Sequence, residues 1–153
     1  MFQKKIIRMI IFKTYITIIF LTCFMNHPTG DIEINITGLK NSKGHVLVGL
    51  YDNAANFPDK SKKAAAQGRA KINNGTAVVN FKNLPYGNYA AAILHDENNN
   101  NKMDFNIIGI PKEGYGFSNN AKGKFGPPSF EKAAIVLSGA KKAININTTY
   151  FLD

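Results

Sequence analysis

The chain has 153 residues, 19 basic and 10 acidic side chains and a formal net charge of +9, a length that suits one domain. Its single cysteine excludes an internal disulfide framework. The charge is uneven: four basic residues and no acidic one lie in the first 30, so the remainder carries fifteen basic against ten acidic residues, scattered without a long run. With no helix or sheet motif beside them, these lysines argue against nucleic acid as a partner.

The chain opens with Lys4, Lys5, Arg8 and Lys13, and then an apolar run from Thr14 to Met25. Basic residues ahead of an apolar stretch of this length form the pattern of a signal helix. A membrane anchor needs about 20 apolar residues, and Ile6 to Met25 reaches that only by including Arg8 and Lys13. Cleavage before Asp31 is therefore the favoured reading, although no Ala-x-Ala site follows the run. An uncleaved anchor and lipidation at Cys23 are the alternatives. The expected division is a signal peptide or membrane-targeting segment over 1–30 and a domain over 31–153. The domain is expected to be exported to the periplasm or the cell exterior, or held at the envelope. It meets a membrane only through the N-terminal segment, if that segment is kept.

After Asp31 the pattern becomes two-fold. Ile32, Ile34 and Ile36 alternate with polar residues, the mark of a half-buried strand. Val46, Val48 and Leu50 line one face of a second strand and Leu47, Gly49 and Tyr51 the other, which predicts a central position. Arg69 to Ile72 is read as a strand turning through Asn73-Asn74-Gly75 into one with Ala77, Val79 and Phe81, because Asn-Gly is a strong hairpin signal. The turn Leu84-Pro85-Tyr86-Gly87 leads into Asn88–His95. Ala133, Ile135 and Leu137, then Ile144, Ile146, Thr148 and Tyr150, complete the set. The pattern predicts an all-β fold: a seven-stranded antiparallel sandwich of immunoglobulin or transthyretin type with one long ordered loop, preceded by the N-terminal signal helix.

Residues 96–130 form the long loop, in which no regular element is predicted. Loops of this length are functional or disordered. The aromatics Phe105, Tyr115, Phe117, Phe125 and Phe130 argue for order. Asp96, Asn98, Asn100 and Asp104 match positions 1, 3, 5 and 9 of a calcium loop, with the Lys102 carbonyl at position 7. Asn101 stands where glycine is usual, and Ile107 where a bidentate glutamate belongs. Weak calcium binding is one reading, and a loop of self-capping Asx side chains is the other. Further on, Tyr115, Phe117, Asn119, Asn120 and Phe125 are candidate contacts for a glycan, a peptide or an envelope protein, unless the rings only plug the sandwich. Hydrolysis through His95, Asp96 and Ser118 is a minor alternative: no nucleophile elbow surrounds Ser118, so no catalytic residue is assigned. One histidine beside Asp96 and Glu97 is too few for zinc.

Several runs carry a resemblance. Val48-Gly49-Leu50-Tyr51-Asp52, Leu84-Pro85-Tyr86-Gly87-Asn88-Tyr89, His95 to Asp104, Gly109 to Asn120 and Phe125-Gly126-Pro127-Pro128-Ser129-Phe130 together resemble the bacterial domain-of-unknown-function family 2141 over residues 31–151. The resemblance implies a secreted or envelope-located bacterial protein and supplies no activity. That family tends to carry glycine near Asn101, so the departure here weakens the calcium reading. The Leu-Pro-x-Gly-x-Tyr turn is also similar to that of carboxypeptidase-regulatory and transthyretin-like sandwiches. The expected role is a noncatalytic exported module that binds through the 96–130 loop. A purely structural accessory domain with a calcium-braced loop is the alternative.

Overall fold

The computed structural model describes residues 27–58 and 63–151. The signal helix, its processing point and Cys23 lie outside them. Among the described residues, eight strands form two sheets, and no helix is long and apolar enough to cross a membrane. The first sheet holds β1 (Thr29–Thr37), β4 (Ala77–Pro85) and β8 (Lys141–Asn147), in the order β4-β1-β8. The second holds β2 (His45–Tyr51), β3 (Ala66–Ala70), β5 (Gly87–Asp96) and β6 (Gly114–Phe117), in the order β3-β2-β5-β6, with β7 (Ile135–Leu137) also on β5. A short 3-10 turn covers Ser118–Asn120, and one helical turn, α1, covers Phe130–Ala133.

The sheets face each other across one core. Ile32, Ile34 and Ile36 of β1, each fully buried, meet Val46, Val48 and Leu50 of β2 and Tyr89, Ala91 and Ile93 of β5, with Val79, Phe81, Leu137 and Ile146 around them. Alternation along each strand sends the other side chains outward. All eight strands lie between Thr29 and Asn147, and the core cluster runs from Ile32 to Ile146. The sandwich thus closes on itself, and residues 27–153 carry what they need to fold alone.

Four expectations change. The strands number eight rather than seven, because β6 lies inside the stretch expected to be an ordered loop without regular elements. The sheets are not wholly antiparallel, since β8 runs parallel to β1, pairing Ile34 with Ile144 and Ile36 with Ile146. The Asn73–Thr76 turn forms, with positive φ at Asn74 and Gly75, yet the strands it joins belong to different sheets: β3 pairs with β2, and β4 with β1. The reason is packing. Gly68 has no side chain, so β3 settles face-on against Val79 and Phe81 of β4, where a Cβ would come within 2.4 Å of the Val79 side chain. Finally, Thr148 and Tyr150 lie beyond β8 rather than in it.

The edge of β5 is divided. β7 pairs with Gly87–Tyr89 and β6 with Ala92–His95. Between them Ser118 takes the place of a strand: its Oγ accepts the Ala91 N–H at 2.9 Å and donates to the Ala133 carbonyl at 2.5 Å. Truncating the centre of the core tests this packing. Ile34→Ala in residues 27–153 is expected to cost about 2–5 kcal/mol in denaturant unfolding. A loss under about 1 kcal/mol would show that β1 does not pack its buried face against the second sheet.

Candidate functional site

Strands β2 and β5 are apolar on both faces. Their second face forms the floor of the site. The register sets Arg69, Leu47, Leu94 and Tyr115 side by side across β3, β2, β5 and β6. The next outward row is Gln67, Gly49, Ala92 and Phe117. Small residues in the middle of that second row leave a trough between taller neighbours. Its open volume is about 1230 Å³, and the loop residues Met103, Phe105, Ile110, Lys124 and Pro127 flank it.

An aromatic cluster closes one end. Phe57 packs edge-on against Tyr51, Phe117 and Phe130 at centroid distances of 5.5, 5.9 and 6.0 Å. The Tyr51 hydroxyl donates to the Pro58 carbonyl at 2.6 Å. Tyr51 also lies over Gly49, where a Cβ would meet its ring at 2.8 Å. Tyr115 and Phe117, 6.1 Å apart, form the wall on β6. They stand outward because Gly114 and Gly116 point inward. A Cβ on Gly116 would come within 2.8 Å of the Ile146 side chain.

The other end is the polar loop after β5. The Asp96 carboxylate, fully buried, accepts the Asn100 N–H at 3.1 Å and the Asn101 N–H at 2.8 Å. Asn98 and Asn100 donate their carboxamides to one oxygen of Asp104, at 2.6 and 2.9 Å. Asn99 and Asn101 take the left-handed conformation that this winding needs, at φ of 62° and 63°. Glu113 ties the loop shut: its Oε1 accepts the Glu97 N–H and its Oε2 the Asp104 N–H, both at 3.1 Å. Burial pushes the Glu113 carboxyl above the ordinary carboxylate value against the pull of those two N–H groups, and the Asp104 and Asp96 charges reinforce the rise. Arg69, at the rim of the trough, donates to the Asn101 carboxamide oxygen. The loop is thereby tied to the trough.

The candidate calcium residues Asp96, Asn98, Asn100 and Asp104 share one loop, in which the Lys102 backbone N–H also donates to the Asn100 side chain at 3.0 Å. Among the described residues, no group of three or more His, Cys, Asp or Glu side chains is placed to hold a metal ion. Of the candidate ligand contacts, Tyr115 and Phe117 wall the trough and Phe125 projects fully into solvent. Asn119 and Asn120, both exposed, staple neighbouring backbone. Asn119 donates to the Ala134 carbonyl at 2.9 Å, and Asn120 accepts the Asn147 N–H at 2.9 Å. Both residues take the left-handed conformation there, at φ of 58° and 48°.

The structure does not bring His95, Asp96 and Ser118 together as a hydrolytic set. His95 and Ser118 are fully buried. His95 Nε2 donates to the Lys43 carbonyl at 2.9 Å, which leaves Nδ1 to accept from the Tyr150 hydroxyl at 2.5 Å. Ser118 lies beside Ala91, four residues along β5, and Asp96 points to the opposite face from His95. Asp96 instead neighbours His45, whose Nε2 is 3.3 Å from its Oδ2. Sequence reasoning missed Glu113, Arg69, Leu47, Gly49, Ala92 and Leu94 as site residues. The second apolar face of β2 and β5 was the signal for four of them; nothing local marked Glu113.

Removing the double brace is the test of the loop. Glu113→Ala leaves two backbone donors without an acceptor, at a cost of about 1–3 kcal/mol. The Glu97 and Asp104 amides should then exchange with solvent much faster. Unchanged exchange at both would contradict the brace.

A family model described as an uncharacterized protein conserved in bacteria, the domain-of-unknown-function family 2141, matches residues 34–145. No curated protein and no solved structure matches the chain.

Proposed function

This chain belongs to that bacterial family, and we propose that it is a noncatalytic, exported binding module of transthyretin-like build that takes its ligand in the trough on the outer face of the second sheet. One observation carries the reading: Gly49 and Ala92 stand side by side between Gln67 and Phe117. Ala92 leaves its place in the row open, the Tyr51 ring lies over Gly49 as part of the floor, and aromatic walls stand on one side with Arg69, Asn101 and Lys102 at the polar end. Apolar ground with a few fixed polar groups is the make-up of a ligand site. An extended peptide, or a segment of an envelope protein, would lay apolar side chains on this ground and reach the polar groups at its end. The basic, then apolar, N-terminal segment supports export.

The test uses the apolar dye 1-anilinonaphthalene-8-sulfonate, followed by peptide and glycan arrays. The wild-type domain should enhance dye fluorescence. Ala92→Phe, which fills the trough, should abolish most of the enhancement and any array binding, while Val78→Ala on the exposed side of β4 should not. Equal enhancement by wild type and Ala92→Phe would remove the trough as the site.

A second reading concerns the polar loop. Two carboxamides and a carboxylate converge where Asn98 and Asn100 meet Asp104. A calcium ion there would take the carboxamide oxygens after both amides turn over, with few negative ligands and a Kd of about 10⁻⁴–10⁻³ M. It would brace the end of the trough. Thermal melting at several millimolar calcium against chelator should then raise the midpoint by about a few degrees, and Asp104→Asn should remove the rise. No shift in the wild-type domain would leave the loop as a self-capped Asx structure.

A further inference from the structure

We infer that the two loop tips at the mouth of the trough insert into an anionic lipid surface. The first tip is Ile107-Ile108. Both are strongly exposed, Ile107 at 105% and Ile108 at 78%, and Phe105 beneath them is exposed at 56%. The backbone that carries them is closed on itself. Phe105 bridges Pro111, Asn106 N–H donates to the Ile110 carbonyl at 2.9 Å, and the Asn106 side chain accepts the Ile108 and Ile110 N–H groups at 3.1 and 2.9 Å. The turn therefore fixes two aliphatic side chains in water without using them in the fold. The second tip is Phe125, exposed at 103%, in the loop that flanks the same trough through Gly123, Lys124, Gly126 and Pro127.

The exposed charges in the stretch that carries the tips have one sign. Lys102, Lys112, Lys122 and Lys124 are exposed in this stretch. Of its two acids, Glu113 is buried on backbone N–H groups, and the half-buried Asp104 receives the two carboxamides. Separate apolar knobs in a lysine-rich stretch suit a bilayer. The knobs enter the acyl boundary, while the lysine stems lie along it and their ammonium groups meet anionic headgroups. A protein partner would ask instead for a continuous, complementary patch. The tips also lie away from the point where the chain enters the sandwich. The chain enters the sandwich beside Tyr86, whose N–H donates to the Pro28 carbonyl. The polar loop leaves β5 at its far end, ten residues along, roughly 30 Å at the strand rise. This inference goes beyond the trough reading and stands without it.

The test is co-sedimentation of residues 27–153 with phosphatidylglycerol–phosphatidylcholine vesicles and with pure phosphatidylcholine vesicles. Binding to the anionic vesicles should weaken as salt is raised and be much weaker on phosphatidylcholine alone. Ile107→Asn with Ile108→Asn, and separately Phe125→Ser, should each weaken binding about tenfold or more. These side chains are exposed, so the melting midpoint should hold, which separates lost insertion from lost folding. Ala92→Phe should bind vesicles like the wild type, so this test and the dye test fail separately. Wild-type protein left in the supernatant, tip variants that bind like the wild type, or equal binding to pure phosphatidylcholine would each overturn the inference.

Discussion

Two central strands with two apolar faces, and only one facing sheet to cover them, set the shape of this molecule. β2 and β5 bury Val46, Val48, Leu50, Ala91 and Ile93 against the first sheet. Their outward residues Leu47 and Leu94 still prefer to leave water. The excursion between β5 and β7 answers that need in part. It adds β6 as a neighbour to β5, raises Tyr115 and Phe117 beside the open face, and brings Met103, Phe105 and Ile110 to its border. Cover is incomplete over Ala92 and beside the Tyr51 ring that lies on Gly49, and the candidate site is the part left uncovered.

The polar groups around this face are held by the fold. Asp96 and Glu113 bind backbone N–H groups at both ends of one loop, and Glu97 next to them pairs with Lys40 at 3.0 Å and Asn41 at 2.9 Å. Burial works against the Glu97 charge, but the hydrogen bonds from Asn41 and Lys40, with the Lys40 charge, keep its carboxyl below the ordinary value. A loop tied at this many points presents Arg69, Asn101 and Lys102 in fixed positions, which lowers the ordering cost of binding. Ser118 shows the same economy. It resembles a nucleophile in the sequence and serves as a plug in the edge of β5.

Much of the fold was legible because alternation is a strong signal. Ile32-Ile34-Ile36 and Val46-Val48-Leu50 name both a strand and its buried face. β6 was hidden because its inward positions are Gly114 and Gly116, so the buried face carries no apolar side chain to count. The Asn73–Thr76 turn was legible as a reversal, but a turn does not say whether its arms pair or part, and Gly68 against Val79 and Phe81 decided that. The parallel β1–β8 pair depends on contacts over a hundred residues apart. At the site, Asp96 to Asp104 could be read from spacing. Glu113 could not, because the calcium template looks to Ile107 for its last carboxylate, and the fold brings in a different one as a brace on the backbone.

The openness of the outer face can be measured directly. Methyl resonances of Leu47, Ala92 and Leu94 can be followed as a neutral, water-soluble gadolinium chelate is added to the domain, with the Ile34 methyls as the buried reference. An open trough requires strong paramagnetic broadening at Ala92 and clear broadening at Leu47 and Leu94, while Ile34 stays sharp. Protection of all three to the level of Ile34 would mean that the face is sealed core, and there would be no trough to bind anything.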